Sequence, residues 1–87
     1  MASTTQSGHI HILFADDDAD IREVVSIMLR AEGYYVDLAA DGLEAMRYLD
    51  NPDSNYDLVI LDIVMPQATG YDVCKHLRQT SAVPVLF

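Results

Sequence analysis

The chain has 87 residues, of which 51% are hydrophobic and 22% charged, a composition typical of one small globular domain and not of a disordered segment. Asp and Glu number 14 against 5 Lys and Arg, and the resulting net charge of −9 argues against nucleic-acid binding, which needs clustered cations. No stretch approaches the roughly 18 apolar residues that span a bilayer, and the single cysteine, Cys74, fits a reducing compartment, so we expect a cytoplasmic location without membrane contact.

Apolar runs alternate with helical patterns along the first half of the chain. Residues 10–15 are mostly apolar and predict a strand of a parallel sheet that helices cover on both sides. An amphipathic helix follows, with Gly33 at its carboxyl end. Its apolar stripe consists of Ile21, Val24, Val25, Met28 and Leu29. Residues 34–40 predict a second strand, after which Asp41 and Glu44 form a capping-box-like pair at the start of a second helix.

The second half continues this alternation. Residues 58–61 predict a third buried strand, which ends at Asp62. A loop closes near Gly70, a shorter helix follows, and residues 83–87 begin a fourth strand. The order β-α-β-α-β-α-β with right-handed crossovers predicts an α/β fold, a doubly wound parallel sheet with helices on both faces.

Acidic side chains follow two of these strands at the point where each strand ends. Asp16 and Asp17 come after the first strand, and Asp62 comes after the third. Sites in such folds lie outside the carboxyl ends of the strands, and neighbouring strands are about 4.8 Å apart. Pairing of the first and third strands would therefore bring three carboxylates into one small volume, where they suit a hard dication such as Mg²⁺. A carboxylate beside that ion can attack phosphorus and form an acyl phosphate.

The motifs ILFADDDADIR and LVILDIVMP, followed by Gly70 and a Val-Pro strand opening, resemble in order and spacing the response-regulator receiver domain of two-component signalling. This resemblance implies a flavodoxin-like receiver fold with strand order 2-1-3-4. It implies that Asp62 is the phosphoacceptor, that Asp17 binds Mg²⁺ directly and that Asp16 acts on the ion largely through water. It further implies that Val64 offers its backbone carbonyl to the metal.

The resemblance also implies partners and boundaries. The partner would be a histidine kinase or a phosphotransfer protein, and the domain would phosphorylate itself rather than act as an enzyme on an external product. We expect residues 1–9 to form a flexible tail and residues 10–87 to form a receiver domain that is incomplete at its C-terminus, after the fourth strand. The hydroxyl residue and the lysine that contact the phosphoryl group in the family would then be missing. On this interpretation the fourth strand is an open apolar edge, and we expect self-association through it.

Alternative interpretations follow from the same residues. Without the hydroxyl and the lysine, the chain could be a receiver-like interaction module that is not phosphorylated, or an inactive truncated fragment.

Asp16-x-Asp18 after a strand also resembles haloacid-dehalogenase-type phosphatases, but Asp20 stands where those enzymes have Thr or Val. His9 and His11 could share a metal, but they lack a third ligand, and we interpret them as exposed residues at the start of a strand.

Overall fold

Four strands and three helices alternate along residues 9–87, the part of the chain that the computed structural model describes. The elements are β1 (His11–Ala15), α1 (Ala19–Ala31), β2 (Tyr35–Ala39), α2 (Gly42–Asp50), β3 (Leu58–Leu61), α3 (Gly70–Leu77) and β4 (Val85–Leu86). This order confirms the predicted alternation. The predicted tail, residues 1–9, lies outside the described residues except for His9. Within residues 9–87, no helix has the length and apolar character needed to cross a bilayer.

All four strands run parallel in a single sheet with the order β2-β1-β3-β4. The two central strands, β1 and β3, pair from Ile12 opposite Leu58 to Ala15 opposite Leu61. Their carboxyl ends are therefore level with each other. The residues that follow Ala15 and Leu61 leave the sheet side by side, as the predicted α/β fold requires.

Burial on both faces of the sheet explains why the sequence of β1 is almost continuously apolar. Leu13 and Ala15 are fully buried in the main core, with β3, α2 and α3, and α2 and α3 also pack against each other. Ile12 and Phe14, which alternate with them along the strand, are buried as well. A strand covered on both faces needs apolar residues at every position.

The apolar stripe of α1 is covered only in part. The helix packs on β2, with Val25 and Leu29 half-buried. Ile21, Val24 and Met28 belong to the same predicted stripe but remain exposed. The helix is therefore amphipathic as predicted, while the described residues shield only one side of its apolar surface.

The carboxyl end of α1 confirms the role predicted for Gly33. Its φ angle is +93°, a conformation that side chains disfavour. Its amide donates to the carbonyl of Arg30 at 3.0 Å, and the next amide, of Tyr34, donates to Leu29 at 3.2 Å. This pair of bonds is the Schellman arrangement, which satisfies carbonyls left free at the end of a helix.

The two capping residues predicted at the start of α2 both accept backbone hydrogen bonds, but one of the two donors differs from the predicted one. The Asp41 carboxylate accepts from the Glu44 amide at 2.7 Å, but Glu44 Oε1 accepts from the amide of Ala40 at 2.6 Å and not from that of Asp41. The glutamate therefore holds the residue before the cap. A complete reciprocal capping box occurs instead at α3, between Thr69 and Asp72.

The fourth strand, β4, contains only Val85 and Leu86. It is therefore shorter than the predicted strand of residues 83–87. The Val83 amide donates to the Ser81 hydroxyl at 3.1 Å, and the Val83 carbonyl accepts from the Arg78 guanidinium at 2.7 Å. These side chains hold Val83 in the preceding loop. Strand pairing begins at Pro84, whose carbonyl accepts from the Val59 amide at 3.0 Å.

Candidate functional site

Three carboxylates meet at the carboxyl edge of the sheet. Asp16 and Asp17 follow β1, and Asp62 follows β3. One oxygen from each of the three carboxylates can be chosen so that all lie within 4.8 Å of one another. Asp16 and Asp62 are half-buried and Asp17 is exposed. No other group of three or more metal-ligating side chains comes together within residues 9–87.

Backbone hydrogen bonds from the sheet hold two of these acids in place. The amide of Asp62 donates to the carbonyl of Ala15 at 2.9 Å, and the amide of Asp16 donates to the carbonyl of Ala39 at 3.1 Å. Both bonds continue the strand pairing by one residue. The positions of the acids are therefore set by the register of β1 with its two neighbours.

The acids that follow β1 have different local partners. Asp16 Oδ1 accepts from the amide of Asp18 at 2.9 Å, and the Asp16 carbonyl accepts from the Arg22 guanidinium at 2.8 Å. The Asp18 carboxylate caps α1 by accepting from the amides of Asp20 and Ile21. The cluster at the sheet edge contains Asp16 and Asp17 but not Asp18.

The loop that follows β3 carries Val64, the predicted backbone ligand. The residue is 75% exposed, and its carbonyl accepts none of the backbone hydrogen bonds found in the turns and loops of residues 9–87. Met65 is buried in the core, and the amide of Gly70 closes the loop by donating to the Ile63 carbonyl at 2.9 Å. A Cβ atom at Gly70 would collide with the carbonyl oxygen of Asp62. The absence of a side chain at Gly70 therefore permits this closure.

The donor set at this edge fits a hard dication. It consists of carboxylate oxygens, and Mg²⁺ is typically bound in proteins by one or two carboxylates, with retained waters and substrate phosphate oxygens completing its shell. Three like charges at this separation repel one another unless a cation lies between them. Asp16, Asp17 and Asp62 could therefore hold Mg²⁺, and the ion would lower the cost of their proximity.

Sequence reasoning missed a second polar cluster, which lies toward the amino ends of the strands. Asp37 Oδ2 is 2.9 Å from His11 Nε2 and also accepts a hydrogen bond of 2.7 Å from the Tyr56 hydroxyl. Burial, followed by the hydrogen bond to Asp37, raises the pKa of Tyr56 above its usual range. The expectation of an exposed histidine was wrong for His11, whose side chain is 28% exposed. His9 is exposed, and its ring stacks on another aromatic ring, that of Tyr35.

The comparisons with known proteins agree with this fold. The sequence model of the response regulator receiver domain matches residues 12–87. The chain is 43% identical to the alkaline phosphatase synthesis transcriptional regulatory protein SphR of Synechococcus elongatus, over 86% of this chain and 32% of SphR. It is 39% identical to the response regulator protein TrrA of Thermotoga maritima, solved in complex with Mg²⁺-BeF, with a TM-score of 0.77 over 87% of this chain and 65% of TrrA. TrrA solved in complex with the histidine kinase ThkA gives the same values.

The chain therefore belongs to the response regulator receiver domain family, and its fold is that of the receiver domains of two-component signalling. This confirms the resemblance inferred from the two acidic motifs and the α/β fold with strand order 2-1-3-4. The chain spans about a third of the length of the curated relatives it matches. It spans a little under two thirds of TrrA, 65%.

Proposed function

We propose that this domain accepts a phosphoryl group on Asp62 from the phosphohistidine of a histidine kinase or a phosphotransfer protein, in the cytoplasm. The observation that carries this proposal is the convergence of Asp16, Asp17 and Asp62 within 4.8 Å at the ends of β1 and β3. The complex of the related TrrA with the histidine kinase ThkA supports this class of partner. The net charge of −9 gives no reason to expect nucleic acid as a second partner.

Mg²⁺ is the cofactor in this proposal. Asp17 and Asp62 would bind it directly, Asp16 would act largely through water, and Val64 would contribute its backbone carbonyl. When bound, the ion neutralises charge between the carboxylates and an incoming phosphoryl group. The half-buried positions of Asp16 and Asp62 support this arrangement, because partial burial weakens the screening by water.

The residues of the chain then perform a single displacement. A carboxylate oxygen of Asp62 attacks phosphorus, and a P–O bond forms while the P–N bond to the donor imidazole breaks. The electron pair of the broken bond remains on the imidazole nitrogen, and the product is an acyl phosphate on Asp62. The hydrogen bond from the Asp62 amide to Ala15 holds the attacking residue at the sheet edge during this step.

Beryllofluoride, which mimics a phosphoryl group on a carboxylate, provides the test. We expect that adding it with Mg²⁺ changes the amide resonances of Asp62 and its neighbours in the wild type and in Asp20→Asn. Asp20 is an exposed acid in the first turn of α1, outside the cluster, so this variant is a matched control for charge. Asp62→Asn should show no further change when beryllofluoride is added to the protein already in Mg²⁺. If the wild-type spectrum were unaffected, the chain would instead be a receiver-like module that is not phosphorylated.

A second proposal concerns self-association through β4. This strand is at the edge of the sheet, and the exposed fractions are 57% for Leu86, 51% for Phe87 and 60% for Tyr71. The rings of Tyr71 and Phe87 pack together with their centroids 5.1 Å apart. An edge strand offers unpaired backbone groups to a strand of another copy, and the apolar side chains beside it favour that contact. The same surface would serve an interaction module that is not phosphorylated.

Light scattering across a concentration series tests this second proposal. We expect the average mass to rise with concentration, and to rise further in salt, because screening weakens the repulsion between copies of charge −9. Leu86→Lys should reduce the association, since a charged edge opposes strand pairing. Ile27→Lys is the control, because Ile27 is an exposed apolar residue on α1. A wild type that stays monomeric at every concentration and salt level would contradict the proposal.

A further inference from the structure

The loop of residues 63–69, which includes Val64, rests on the first residue of α2. That residue is Gly42, which is buried. Its amide is 3.4 Å from the carbonyl oxygen of Pro66, to which it donates. The contact connects the start of α2 with the loop that leaves Asp62, although the two segments are separate in sequence.

The loop approaches Gly42 more closely than any side chain would permit. A Cβ atom at this position would lie 2.7 Å from the Cβ of Ala68 and 2.8 Å from its carbonyl carbon, and it would collide with the Ala68 carbonyl oxygen. Two of these three atoms belong to the backbone, so no rotation of a side chain can relieve the overlap. Either α2 or the loop would have to move.

The loop is the part that would move. The start of α2 is fixed by the Asp41 cap and by Ala45, which is fully buried in the core. The loop is exposed at Pro66 and Gln67, and Gln67 has a φ angle of 75°, a conformation uncommon for a residue with a side chain. A displacement at Ala68 would therefore be taken up by the loop, which carries Val64.

We propose that Gly42 is a positioning residue for the metal site. By lacking a side chain, it lets the loop close against α2 and thereby sets the position of the Val64 carbonyl. This inference rests on the proposed function, because Mg²⁺ affinity is the property through which Gly42 acts. The neighbours of Gly42 in this contact are Pro66 and Ala68, so its effect passes through the loop.

The experiment compares two glycine substitutions by calorimetric titration with Mg²⁺. We expect Gly42→Ala to raise the dissociation constant for Mg²⁺ about tenfold. This is the smallest loss of metal affinity that is typical when a residue that orients metal ligands is replaced. Gly33→Ala is the matched control. It places a side chain at φ +93° with no atom within 4 Å, so it strains the end of α1 and lowers stability without touching the loop. Gly33→Ala should keep the wild-type dissociation constant.

A second variant acts on the same contact from the loop side. Ala68→Val enlarges the side chain that faces Gly42, and we expect it to weaken Mg²⁺ binding as well. If Gly42→Ala does not fold, the Mg²⁺ affinity of Ala68→Val tests the inference in its place. Wild-type affinity in the folded Gly42→Ala or Ala68→Val protein would overturn the inference. A wild type that binds no Mg²⁺ would instead overturn the proposed function, so the two failures are distinguishable.

Discussion

The backbone amide of Asp62 donates a hydrogen bond of 2.9 Å to the carbonyl of Ala15. Asp16 and Asp17 follow Ala15 directly, so this one bond brings the end of β3 next to the two acids that follow β1. The crowding of carboxylates is therefore a consequence of strand pairing in the interior of the sheet. It persists whether or not the carboxylates attract a common ligand.

The first prediction concerns the metal site. Asp62→Ala and Asp17→Ala should each weaken Mg²⁺ binding by about 1–3 kcal/mol, because each removes one of few charged ligands. Isothermal titration calorimetry measures the change. Asp20→Ala removes the same charge from an exposed position on α1 and should bind nearly as well as the wild type. Unchanged affinity in Asp62→Ala would refute the site assignment.

The second prediction concerns the free energy of unfolding with and without Mg²⁺. Without the ion, Asp17→Asn should be more stable than the wild type, because one of three repelling charges is gone. In Mg²⁺ at about one hundred times its dissociation constant, the wild type should gain about 2.7 kcal/mol and become the more stable protein. Urea unfolding measures both values. Asp53→Asn, in an exposed turn, should not change how stability responds to Mg²⁺.

The third prediction concerns Tyr56. Tyr56→Phe removes the hydroxyl that donates to Asp37 at 2.7 Å and should lower the free energy of unfolding by about 1.5–3 kcal/mol, as for other hydrogen bonds to charged groups. Urea unfolding of the two proteins at neutral pH measures the difference.

The same tyrosine makes stability depend on alkaline pH. Burial and the bond to Asp37 raise the pKa of Tyr56 in the folded protein, whereas in the unfolded chain it ionises near pH 10. The stabilisation is therefore complete below about pH 10 and is lost as the pH rises toward the folded pKa. Between about pH 8 and about pH 11, the free energy of unfolding measured in urea should fall further for the wild type than for Tyr56→Phe. Equal losses would contradict this account.

The fourth prediction concerns the close contact at Gly70. Gly70→Ala should lower the free energy of unfolding by about 1–3 kcal/mol, because the added Cβ collides with the backbone carbonyl of Asp62. Lys75→Ala changes an exposed position on the same helix and should have little effect. Thermal or urea unfolding of the two variants distinguishes loss of this contact from a general effect on α3.

Much of the fold was predictable because its signals are local. The apolar runs and the acids that end them located β1 and β3, and Gly33 located the end of α1. The Thr69-x-x-Asp72 capping box is also a local signal, although the helix that it begins is short and has few periodic apolar residues. Strand order came from the family resemblance and not from periodicity, which does not specify which strands pair.

Features that depend on distant residues were not predictable. Asp37 meets His11 and Tyr56 across 26 and 19 positions of sequence, and no spacing rule connects these residues before the sheet is assembled. The shortening of β4 depends on the Arg78 side chain reaching the Val83 carbonyl. The contact between Gly42 and Ala68 depends on how a loop packs on a helix. In each case tertiary packing supplied the information.

The repulsion among Asp16, Asp17 and Asp62 also has an evolutionary consequence. A library of variants selected only for resistance to heat, in the absence of divalent cations, should accumulate neutral replacements at these three positions, because proteins are rarely at their stability optimum where function opposes it. The same selection in excess Mg²⁺ should retain the acids. The positions that differ between the two selected populations would then be those at which natural selection has favoured cation binding over thermal stability.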